Sequence, residues 1–127
     1  MKNTYQIAVA MLVGIGLGSL GAQAITAQTS PSALYIAEVS DVSNLEDFNR
    51  YAAGVPATVA KYGGRYLARG GKTQTVEGEA PARIVVTAFK SMADAQKWYA
   101  SPEYSALKPI RQGSAKTRSF IVEGLGQ

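Results

Sequence analysis

Trp98-Tyr-Ala-Ser-Pro-Glu-Tyr-Ser-Ala-Leu-Lys-Pro-Ile-Arg111 is the stretch on which the reading of this chain turns. Serine is a good helix N-cap and proline fits the first helical position, so Ser101-Pro102 restarts a helix just after Trp98 and Tyr99. Tyr104, Leu107 and Ile110 line the inward face of this last short helix, with Arg111 one turn beyond Leu107. Upstream, Ser91-Met-Ala-Asp94 has a cap-like spacing and opens the helix that carries Met92, Ala95, Trp98 and Tyr99 toward a core. Strand patterns flank this corner. Arg83 to Phe89 is the strongest in the chain, and Thr117 to Val122 is the last.

Working further outward, Ala33 to Val39 reads as a first strand. Ser43-Asn-Leu-Glu46 fits a capping box, with Ser43 as the cap and Glu46 reaching back. Beyond it Leu45, Phe48, Ala52, Val55, Val59 and Tyr62 share one helix face. Pro56 interrupts that pattern and predicts a kink or a break, and Gly63-Gly64 predicts the helix end. Arg65 to Arg69 reads as a second strand, with Thr73 to Glu77 expected to continue it past Gly70-Gly71. That glycine pair suggests a bulge or a close backbone approach. The order is β-α-β-β-α-β, an α+β ferredoxin-like sandwich with a four-stranded antiparallel sheet and its helices on one face. Yet Leu34 to Ala37 and Ile84 to Phe89 put apolar groups on both faces of that sheet. An uncovered apolar face predicts a homodimer packed sheet against sheet, of the dimeric α+β barrel type.

The first residues read as an address. Lys2 supplies positive charge, and Ile7 to Leu20 is an uncharged run shorter than the roughly 20 residues a spanning helix needs. Ala22-Gln23-Ala24 gives the small-x-small pattern of a signal peptidase site, so residues 1–24 are expected to leave as a signal peptide. The alternative is an uncleaved N-terminal anchor. Residues 25–32 then form a polar leader, 33–124 the domain and 125–127 a tail. The expected product is periplasmic or secreted, with no stable membrane insertion after cleavage. There is no cysteine and no histidine among the 127 residues. Disulfides, thiol nucleophiles, Ser-His-Asp and Cys-His catalysis, and metal sites built on imidazole or thiolate all fall away. The net charge of +4 becomes +3 without Lys2, and the positive residues are scattered singly, against nucleic-acid binding.

From about Leu34 to Gly124 the chain resembles the domain-of-unknown-function family 1330, a branch of the dimeric α+β barrel superfamily. The residues that carry the resemblance are Tyr35-Ile-Ala-Glu, Tyr51, Gly63-Gly-Arg-Tyr-Leu-Ala-Arg-Gly-Gly71, Glu77-Gly78, Trp98-Tyr-Ala-Ser-Pro-Glu-Tyr104 and Arg111. The resemblance implies the ferredoxin-like fold and dimerisation, and it implies no activity. Relatives in the wider superfamily oxidise electron-rich aromatics without a cofactor, or degrade haem or small chlorinated compounds. The first chemistry would draw on Asn44 and Trp98. Haem has no histidine here to hold it, and no cofactor is expected.

The candidate ligand-binding residues are Arg69, Trp98, Tyr104, Arg111, Glu77 and Tyr66. Arg69, beside Gly70-Gly71, suits a carboxylate or phosphate, or else a salt bridge to Glu77. Arg111 offers a second cationic contact, or pairs with an acid near the helix end. Trp98 and Tyr104 either flank an apolar pocket or pack in the core. Tyr51 and Tyr66 read as half-buried packing residues with wet hydroxyls. Glu77 would serve as a general base only in dry surroundings. Three functions stay open: a homodimer binding a small organic molecule, anionic or not, in a pocket on each subunit, a cofactor-independent enzyme acting on a small aromatic or acid, and a purely structural dimer.

Overall fold

A computed structural model describes residues 32–125, so the expected signal peptide, nearly all of the leader and the last two residues of the tail lie outside the described residues. The elements run β1 (Ala33–Val42), α1 (Leu45–Lys61), β2 (Arg65–Arg69), β3 (Arg83–Phe89), α2 (Met92–Tyr99), α3 (Pro102–Ser114) and β4 (Ala115–Glu123). The strands lie in the order β2-β3-β1-β4, and each adjacent pair is antiparallel. This is the expected ferredoxin-like arrangement, with the second helix divided at Ser101-Pro102. The division has its cause in the sequence. Ser101 Oγ donates to the Trp98 carbonyl at 2.7 Å and accepts the Tyr104 amide at 3.1 Å, so one hydroxyl ends α2 and starts α3.

Strand alternation separates the two sheet faces. Ala33, Tyr35, Ala37 and Val39 are buried beneath the helices, while Leu34, Ile36 and Glu38 between them are only partly covered. Trp98, 1 % exposed, is the centre of the covered layer. Its ring meets Tyr35 edge-on with centroids 4.9 Å apart and lies 4.3 Å from Tyr104 and 5.4 Å from Phe89. Each such aromatic pair adds roughly 0.5–1.5 kcal/mol to its area burial.

Three local expectations are corrected. Asn44, not Ser43, caps α1: its Oδ1 accepts the Asp47 amide at 3.0 Å, while Ser43 Oγ donates to the Ser114 carbonyl. The buried face is also turned from the expected one: Leu45 lies on the solvent side, 64 % exposed, and Tyr51 and Thr58 are buried with Phe48, Val55 and Val59. Secondly, α1 runs through Pro56 without a break. Proline cannot donate to the carbonyl four residues earlier, that of Ala52. Arg69 Nη2 donates to that oxygen at 2.6 Å, a substitute for the missing amide. Thirdly, β2 ends at Arg69, and Thr73–Glu77 belongs to an exposed loop. The end of α1 is as expected. Gly63, at φ +79°, turns the chain while Gly64 N donates to Val59 O and Gly63 N to Ala60 O.

Candidate functional site

The helix-facing rows of the sheet form the floor of a cavity. Tyr35, Thr87 and Tyr66 stand in register across β1, β3 and β2; Ala37, Val85 and Arg69 form the next row, then Val39 and Arg83. Simple alternation would turn Arg69 to the face opposite Tyr66. The register shift between Tyr66 and Ala68 adds a residue and returns Arg69 to the same face. Phe48, Tyr51, Ala52 and Val55 of α1, Trp98 of α2 and Arg111 of α3 complete a cavity of about 40 Å³. Small residues at Ala37 and Ala52 leave that space open.

Arg111 is the unusual member. It is 6 % exposed, yet the ion pairs among the described residues are Arg50–Asp47, Lys61–Glu103 and Arg118–Glu38, and none involves it. Its Nε has no hydrogen-bond partner, and neither does the hydroxyl of Tyr35 or Tyr66. The guanidinium carbon lies 5.9 Å from the Tyr51 ring centroid. Behind it, the hydroxyls of Tyr51 and Tyr104 are 2.6 Å apart, so one donates to the other and one phenolic proton stays free. Burial works against the charge of Arg111, but a guanidinium keeps its proton at any ordinary pH. Burial also pushes Tyr51 up to about 12, and raises Tyr35 and Tyr104 further.

None of the residues lining the cavity is Asp, Glu, Lys or His. Its charged groups are the guanidinium groups of Arg111, Arg69 and Arg83, and its tyrosines stay neutral far above pH 7. Such a lining donates hydrogen bonds and supplies no carboxylate or imidazole to take a proton near neutrality. It can hold an anion.

Of the sequence candidates, Arg69, Trp98, Arg111 and Tyr66 line the cavity and Tyr104 and Glu77 do not. Tyr104 is fully buried behind the wall, fixing Tyr51 through its hydroxyl. Trp98 offers only its ring, because its Nε1 donates to Thr58 Oγ1 at 2.9 Å. Glu77 sits on the exposed loop after β2, which removes it as a base in dry surroundings. Neither alternative pairing holds: Arg69 serves the Ala52 carbonyl rather than Glu77, and Arg111 meets tyrosines rather than an acid. The hydroxyls of Tyr51 and Tyr66 are buried rather than wet. Asn44 is taken up by capping and is exposed, away from the cavity. Gly70, at φ +68°, leaves room for the guanidinium of Arg83, which a side chain there would strike. Tyr35, Phe48 and Arg83 were missed as site residues. For Arg83 the signal was strand alternation, since Arg83, Val85, Thr87 and Phe89 share the inward face.

Comparison with solved structures supports the fold. A protein of unknown function from Rhodopseudomonas palustris superposes with a TM-score of 0.64 at 16% identity, covering 84% of this chain and 92% of that one. A dimeric ferredoxin-like protein of unknown function from Thermobifida fusca gives 0.57 at 12% identity, with coverages of 76% and 93%. SnoaB, a cofactor-independent oxygenase from Streptomyces nogalater, gives 0.55 at 8% identity, with coverages of 73% and 92%. No curated protein matches the chain in sequence. Residues 32–125 match the family described as domain of unknown function (DUF1330), and the chain belongs to that family.

Proposed function

We propose that this protein is an exported homodimer in which each subunit holds a small organic anion, its acid group seated against Arg111. The observation that carries the reading is a buried guanidinium without a carboxylate partner, in a cavity that the unpaired hydroxyls of Tyr35 and Tyr66 also line. A buried charge left unpaired costs several kcal/mol, a cost relieved when a ligand brings the missing charge. Pairing of subunits is supported by the partly covered aliphatic face of the sheet and by the dimeric state of the Thermobifida fusca protein. Export rests on the pattern of residues 1–24. No feature of the cavity favours the enzyme reading, since the lining offers no carboxylate, imidazole or amine to take a proton near neutrality.

The test is calorimetric titration of the purified protein with simple carboxylates, butyrate and benzoate, alongside Arg111→Met. The wild type is expected to bind at least one of them, and the variant neither. Met fills much of the same space without charge, so the unliganded variant should gain roughly 1 kcal/mol of stability in urea unfolding. Carboxylate binding that survives Arg111→Met would refute the assignment.

A further inference from the structure

We infer that the ligand is a short dicarboxylate, its second acid group held at the mouth of the cavity by Arg69 and Arg83. This deepens the reading above and rests on it, because the first acid group is the one at Arg111.

The size of the cavity is the first argument. At about 40 Å³ it has room for the equivalent of roughly three waters, taking 10–15 Å³ for each. That suits an acid group but not the body of an organic molecule. The body must therefore extend along the walls toward the more exposed part of the lining, where Arg69 and Arg83 stand.

The second argument is what waits there. Arg83 opens β3 in register with Val39, two inward-facing rows along β1 from Tyr35. Its guanidinium lies over the Phe48 ring, 5.8 Å from the centroid, in the space that Gly70 leaves. Arg69 is turned toward the same place by the bulge in β2, its guanidinium 5.0 Å from the Tyr66 ring centroid. One nitrogen of Arg69 serves the Ala52 carbonyl, and the others remain free to donate. Neither arginine belongs to an ion pair among the described residues. Two guanidinium groups gathered at one opening repel each other, and an anion between them removes the repulsion. The walls between the two cationic ends are apolar, as the methylene chain of a dicarboxylate requires.

Matched pairs of acids separate this inference from its parent: succinate against butyrate, and adipate against hexanoate, each titrated by calorimetry. In at least one pair the dicarboxylate is expected to bind about tenfold more tightly or better, the scale of one charge-assisted contact. Arg83→Gln or Arg69→Gln should bring that ratio close to one, whereas Arg83→Lys, which keeps the charge, should retain part of it. Ratios near one in the wild type overturn the inference, as does a preference that survives Arg69→Gln and Arg83→Gln together, or a failure of every dicarboxylate to bind. In the first case the monocarboxylate still binds and remains sensitive to Arg111→Met, so the parent reading stands. If no acid responds to Arg111→Met, both fall.

Discussion

The two faces of the sheet reverse the usual relation between inside and outside. The face under the helices carries tyrosine hydroxyls beside its apolar groups, and the buried guanidinium of Arg111 in α3 joins them in the cavity. The opposite face carries Leu34, Ile36, Ile84, Val86 and Ala88, with Phe120 43 % and Val122 42 % exposed, and charge gathers at one end where Arg118 pairs with Glu38. A monomer gains nothing from keeping aliphatic side chains in water while taking charge out of it. The difference fits the proposed reading, in which the covered face takes a ligand and the bare face another subunit, so the two should respond to different perturbations.

The strongest way to break that contrast is a charge on the bare face. Ile36→Lys lies at the centre of the sheet, flanked by Val86 and Phe120 in register. In a two-fold symmetric interface the substitution enters twice, and burying two unpaired charges should weaken association by about 5 kcal/mol. Light scattering should then report a monomer where the wild type gives a dimer. If the wild type is already monomeric at micromolar concentration, the assignment of the bare face fails.

Alkali sharpens the contrast from the other side. Tyr51 ionises near its ordinary value of 10.0 when unfolded and at about 12 when buried in the native protein. Between those limits the unfolded chain has lost a proton that the native state still holds, so stability falls as pH rises. The contribution is intact below pH 10 and down by about 2 kcal/mol at pH 12 for Tyr51 alone. Tyr35 and Tyr104 act in the same direction. Urea midpoints measured from pH 9 to 12 should drop, and Tyr51→Phe should flatten part of the slope. An unchanged slope in that variant would contradict the burial of its hydroxyl.

Much of the fold was legible because its signals are local. Ser101-Pro102 and Gly63-Gly64 mark helix ends through their own backbone preferences, and alternation in Ala33–Val39 separates the faces without knowledge of the partners. Arg111 could be placed inward because it follows Tyr104 by seven residues and Leu107 by four, along one helix face. The rest depended on contacts between segments far apart in sequence. Tyr35 reads as one apolar group of a strand, and Tyr51 as a half-buried packing residue, until α3 brings Arg111 among them. Arg69 is a candidate beside Gly70-Gly71, but the bulge that turns it inward lies earlier, between Tyr66 and Ala68, and shows only in the pairing with β3. The one-residue shift of the α1 cap is a local competition, since Ser43 and Asn44 are both good caps. The Ser114 carbonyl, 71 residues away, decides it by accepting the Ser43 hydroxyl.

The smallest effect is the most specific, and it joins helix to sheet on the covered face. Pro56 deprives the Ala52 carbonyl of its helical partner, and Arg69 supplies a replacement from β2. Arg69→Gln alone should cost about 1 kcal/mol in urea unfolding, the net value of a hydrogen bond to a charged donor at an exposed site. Pro56→Ala restores an amide to the helix, which can bond Ala52 without help. In that background Arg69→Gln should cost almost nothing, giving a coupling of about 1 kcal/mol in a double-mutant cycle. Additive effects would mean that Arg69 stabilises the fold by some route other than the orphaned carbonyl. The same cycle frees Arg69 to be judged as a ligand contact: with Pro56→Ala present, any loss on Arg69→Gln must appear in anion binding, because the helix no longer depends on it.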